Sequence, residues 1–149
     1  MPRIHCHVRR FIRGKPFPFV AFLLRTSKIV KGIDALIDTG SPFTVLSTKD
    51  ALTTRLPLTK MQSGETVSLA GYRFFNHPLG SVIMNFRTET DELVEFSFSS
   101  MGALVPTKID RKMLSEIKDI PTIIGNDFLE EFGLVLHYNP KSMIAYLES

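Results

Sequence analysis

Ile33-Asp34-Ala35-Leu36-Ile37-Asp38-Thr39-Gly40-Ser41 is the stretch whose reading decides the fold. Ile33, Ala35 and Ile37 alternate with Asp34, Leu36 and Asp38, which reads as a mostly buried strand running into a turn. Asp38 stands at the end of that apolar strand, where a lone carboxylate is costly to ionise. A purely local reading is an Asx-type turn, in which the carboxylate accepts from nearby backbone N–H groups. Asp-Thr-Gly occurs once and Asp-Ser-Gly not at all. A site that needs two such carboxylates must therefore take the second from another copy of the chain.

Working outward, Phe17 to Leu24 reads as a strand, turning at Thr26 to Lys28 into the Asp38 strand, with Thr44-Val45-Leu46 as the strand that leaves it. Ser47, with Asp50 three residues on, caps a short helix that Pro57 stops. Val67 to Ala70 and Phe74-Phe75 flank Gly71-Tyr72-Arg73, a hairpin with its turn near Gly71. Val82 to Phe86 and Leu93 to Phe98 form another around Thr88 to Glu92. Asp110 is a helix cap before Lys112 to Ile117. Asn126 is expected to cap a helix ending at Gly133, and a last hairpin closes around Asn139-Pro140. Many short strands with turn signals and two or three small helices predict a closed, mainly β domain.

A second stretch, Ile123-Ile124-Gly125-Asn126-Asp127-Phe128-Leu129, follows the first in a telling order. Together the two resemble the retropepsin-like, single-lobe branch of the aspartic proteases, over roughly residues 17 to 147. The resemblance implies an acid-protease-like closed barrel with one lobe per chain. It also implies a division into a basic arm (residues 1–16) and a protease domain (residues 17–149). The implied activity is endopeptidase hydrolysis by a dyad of two Asp38 residues in a homodimer, acting on an extended polypeptide. Asp38, Thr39 and Gly40 are then the catalytic loop, with Thr39 bonding the partner loop and Gly40 giving its N–H to Asp38. Ser41 becomes a donor to the outer oxygen of Asp38, where many retroviral members carry Ala. Gly71 and Tyr72 are the candidate flap, with Gly64 a rival tip, and Ile124 and Gly125 line the floor beneath the catalytic loop. Ala35, Ile37, Phe43, Val82 and Ile124 are candidates for substrate pockets or core. The chemistry implied needs no metal or cofactor. The alternative is the same fold kept as a dimerisation or peptide-binding module with weak or no catalysis.

Composition narrows the rest. A chain of 149 residues is about one domain. Its single cysteine, Cys6, excludes an internal disulfide and predicts a reducing, cytoplasmic setting. Phe17 to Leu24 is too short to span a bilayer and no signal-peptide pattern precedes it, so no membrane partner is expected. Eight basic residues and no acidic one precede Asp34, while the rest of the chain, from Asp34 on, carries ten basic and fifteen acidic side chains. Such an arm can meet RNA or an anionic surface. Without aromatic-basic stacking it is expected to be a solvated, partly disordered extension, and nucleic acid is not an expected partner. His5-Cys6-His7 lacks a second ligand pair for a metal site, and no Gly-x-Ser-x-Gly supports a serine hydrolase.

Overall fold

The computed structural model describes residues 1–149. The first strands are β1 (Ile4–His5), β2 (His7–Arg10), β3 (Pro16–Arg25), β4 (Val30–Ile37) and the short β5 (Val45–Leu46), followed by helix α1 (Thr48–Thr53). Two hairpins come next, β6 (Glu65–Leu69) with β7 (Tyr72–Pro78) and β8 (Val82–Arg87) with β9 (Leu93–Phe98). The chain then forms β10 (Gly102–Pro106), α2 (Arg111–Glu116), β11 (Thr122–Ile124) and α3 (Asn126–Glu131), and ends in β12 (Val135–Asn139) and β13 (Ile144–Glu148). No helix is long and apolar enough to cross a membrane.

Local chemistry explains most of these boundaries. Ser47 Oγ accepts the Asp50 N–H at 3.1 Å and starts α1. Asp110 accepts the Met113 N–H at 2.8 Å and starts α2, and that backbone N–H holds its carboxyl below the usual range. Ala70 (φ 52°) and Gly71 (φ 83°) make the tight two-residue turn between β6 and β7. Asn126 does not cap α3. Gly125, with extended backbone, occupies the cap position, and Asn126 is the first helical residue, its N–H donating to Ser41 O at 2.7 Å.

Nine strands pair in the order β6-β7-β10-β5-β11-β4-β3-β8-β9, with β2 added along β3. The ends of that path, β6 and β9, do not pair with each other, so the expected closed barrel is an open sheet here. The terminal strands form a separate three-stranded sheet, β1-β13-β12, instead of bridging the two ends. The basic arm is no disordered extension. β2 pairs antiparallel with β3, β1 pairs with β13, and Ile4 and Cys6 between them are buried. Apolar side chains at Ile4 and Cys6 supply the burial that orders it, which the charge count conceals.

The core fills the space between the sheet and α3. Phe128 is fully buried with Phe86, Phe96 and Phe98 around it at centroid distances of 5.7, 5.5 and 5.4 Å. Burying one such ring is worth about 1.5–3 kcal/mol, enough to seat α3 at a fixed height against the sheet. A smaller cluster, Val45, Phe74, Leu104, Ile117 and Ile123, packs the β6–β7 hairpin against α2.

Candidate active site

The strand order explains why Asp38 sits where it does. β11 lies between β4 and β5, parallel to β4 with Ile124 opposite Ile37. Residues 38–44 therefore have to arch from β4 to β5 over the end of β11. The Asp38 N–H donates to Ile124 O at 3.0 Å, so the pairing of β11 runs directly into the loop. Asp38 is half-buried, and Thr39 and Gly40 beside it are exposed.

Gly125 is where the arch meets the strand beneath it. A Cβ built there would stand 2.3 Å from Phe43 O and 2.8 Å from Ser41 O. Only glycine admits that approach. Asn126 N–H donates to Ser41 O at 2.7 Å, and Gly125 N–H donates to Thr44 Oγ1 at 2.9 Å. Thr44 is fully buried, and its hydroxyl donates in turn to Asp127 Oδ1 at 2.7 Å. The Asp127 carboxylate also takes the N–H of Thr44 and that of Phe128, at 3.2 and 2.8 Å. The first turn of α3 thus clamps the arch at its middle, Ser41, and at its far end, Thr44, while β11 holds the Asp38 end.

Within the arch, Gly40 N–H donates to Asp38 Oδ1 at 2.9 Å. The same closeness explains the residue: a Cβ on Gly40 would lie 3.3 Å from that oxygen. Ser41 does not donate to Asp38. Its hydroxyl donates to Phe43 O at 2.9 Å and accepts the Phe43 N–H, because the backbone of its own turn lies nearer. Thr39 lines a shallow cavity with Asn126, Leu129 and the segment Gly133 to Leu136.

Asp38, Thr39, Gly40, Ser41, Ile124 and Gly125 are thus brought together. Gly71 and Tyr72 are not joined to them by any hydrogen bond; the hairpin that carries them is tied in through β10, and Tyr72 packs on the smaller cluster. Ala35, Ile37, Val82 and Ile124 are core residues, and only Phe43 of the pocket candidates stands exposed. Thr44 and Asp127 escaped the sequence reading. An acid in the first turn of a helix was the available signal, but it does not say which hydroxyl it holds.

Neither a protein-family model nor a curated protein sequence matches the chain. Among solved structures, a retropepsin-like aspartic protease from Rickettsia conorii matches with a TM-score of 0.51 at 15% identity, covering 94% of this chain and 86% of that one. The fold is retropepsin-like. At that identity the retropepsin-like likeness concerns backbone architecture, and within it the Asp38 arch and the Gly125 turn occupy one continuous piece of the molecule.

Asp34 lies on β4, the strand that leads into Asp38, with His7 Nε2 3.1 Å from Oδ1 and Arg9 Nη1 3.0 Å from Oδ2. His5 points to solvent, Cys6 is buried and His7 turns to Asp34, so the three members of that tripeptide serve three different surroundings.

Proposed function

We propose that the chain is an aspartic endopeptidase acting as a homodimer, in which each subunit contributes one Asp38 to a shared dyad. The observation that carries this reading is the arch. It offers a half-buried carboxylate with one oxygen fixed by Gly40 N–H, and its backbone is anchored through Ile124, Gly125 and Asp127. A carboxylate held this firmly at an exposed loop is suited to meeting a second one across a two-fold axis.

Two carboxylates at contact distance cannot both ionise, so one keeps a proton. The ionised member takes a proton from a water, which attacks the scissile carbonyl, and the protonated member gives its proton to the carbonyl oxygen. The tetrahedral diol then collapses as a proton returns to the leaving amine. Thr39, exposed beside Asp38, is available to bond the partner's loop. An extended peptide would lie as an added strand over this floor, with the Gly71 turn as its cover. The single buried cysteine suits a reducing, cytoplasmic setting.

The test is cleavage of an unfolded protein such as casein over about pH 3 to 8, by wild type and by Asp38→Asn. Pepstatin-sensitive cleavage lost in the variant supports the enzyme. A folded dimer without activity at any pH favours the peptide-binding module instead.

A further inference from the structure

The β2–β3 hairpin turns over at Arg10-Phe11-Ile12-Arg13-Gly14-Lys15, and that turn is firmly built. Phe11 N–H donates to Lys15 O and Arg10 Nη1 to Gly14 O, each at 2.8 Å. Arg13 (φ 53°) and Gly14 (φ 69°) take left-handed backbone. The Phe11 ring sits edge-on to Phe17 and Phe19, with centroids 6.1 and 5.8 Å away. Beyond the half-buried Phe11 the turn adds nothing to the core: none of its residues is fully buried, and Ile12 is left 54% exposed.

The charge around Ile12 is equally unspent. Arg3, Arg9 and Arg25 each meet a carboxylate, whereas Arg10, Arg13 and Lys15 enter no ion pair. The adjoining cleft holds Lys49 and Lys118 against Asp50 and Asp119, so it is near neutral and the uncompensated charge lies at the turn.

We propose that this turn is a contact surface for an anionic lipid bilayer. Ile12 enters the headgroup layer while Arg10, Arg13 and Lys15 meet acidic headgroups. An exposed branched aliphatic in a turn that also carries three unpaired cations matches a partner that is anionic at its surface and apolar beneath it. A single-stranded nucleic acid asks instead for an open aromatic face on which a base can stack. The aromatics here are closed: Phe11 is packed on its neighbours, and Phe19 is buried with the Arg9 guanidinium 3.9 Å above its ring. No spanning segment is involved, and the surface functions independently of Asp38.

The test is co-sedimentation of the full chain with vesicles of phosphatidylcholine alone or with roughly one-third phosphatidylserine, at about 0.05 M and about 0.5 M salt. Capture is expected only by the anionic vesicles at low salt. Replacing Arg10, Arg13 and Lys15 together by Gln lowers the partition about a hundredfold, at about fivefold per cation. Ile12→Ser, which leaves the charge unchanged, lowers it about tenfold. None of these side chains is buried and the only bond given up is the exposed one from Arg10 to Gly14 O, so the variants stay folded with midpoints close to that of wild type, and Asp38→Asn binds as wild type does. Equal capture of the triple variant overturns the proposal. So does capture indifferent to Ile12→Ser, which marks a contact for any polyanion, and so does binding of poly(U) with the vesicles left free. Absence of capture by any of them overturns it as well.

Discussion

Asp127 Oδ1 lies 2.7 Å from Thr44 Oγ1, joining the first turn of α3 to the far end of the Asp38 arch across 83 residues of sequence. One hydroxyl serves two partners there, since it also accepts the Gly125 N–H. Thr44→Val keeps the shape and removes both bonds, leaving a carboxylate and a buried N–H short of a partner. We expect a stability loss of about 2–4 kcal/mol in urea unfolding, with Thr44→Ser losing only about 1 kcal/mol. Equal midpoints for the two variants at one m-value would mean that the bond does not hold the arch.

Gly125 and Gly32 make a controlled pair. A Cβ at Gly125 would collide with Phe43 O at 2.3 Å, whereas one at Gly32 meets nothing within 4 Å. Gly125→Ala should cost several kcal/mol, roughly 3 or more, while Gly32→Ala should be neutral or stabilising by about 0.5 kcal/mol. Thermal midpoints of the two variants decide it; a tolerated Gly125→Ala would show that the arch can lift freely from β11.

Cys6 gives the protein an alkaline weakness. Burial pushes its thiol up to about 12 from an ordinary 9.0. The unfolded chain therefore loses this proton from about pH 9 upward while the folded chain keeps it, so stability falls with pH through the window between the two values. Between pH 8 and pH 10 wild type should lose about 1.4 kcal/mol more than Cys6→Ala, read as the difference between their two slopes. Parallel slopes would mean that the thiol ionises as readily folded as unfolded.

Ile144 is 53% exposed on β13 and is expected to be covered in the proposed dimer. Ile144→Asp should leave the monomer's stability within about 0.5 kcal/mol while abolishing the dimer in sedimentation, and cleavage with it. A variant that remains dimeric and active would move the interface elsewhere.

What could be read in the sequence was local. The Ser47 and Asp110 caps, the Gly71 turn and the alternation into Asp38 each act within a few residues, and the chain obeys them. What escaped was decided at long range. Whether β6 meets β9 depends on the pairing of the whole path, and no residue of either strand announces it. Ile4 lies opposite Leu147, so the order of the arm depends on a strand at the other end of the chain. The Asp38 loop itself was conspicuous because a carboxylate, a hydroxyl and a glycine close a mostly apolar strand. Asp127 and Thr44 were hidden because an acid near a helix start and a threonine near a strand are common in any sequence, and only the fold brings them together.

β13 has β1 on one side and β12 on the other, both from its own chain. A partner's terminal strand cannot be inserted beside it, so two chains would meet as finished bodies. Assembly then becomes a second-order step after folding, governed by mass action. Apparent stability and specific activity should both climb with protein concentration, while below the dimer's dissociation constant the monomer stays folded, so dilution would silence the proposed enzyme without denaturing it. Its abundance in the cell would then act as its switch.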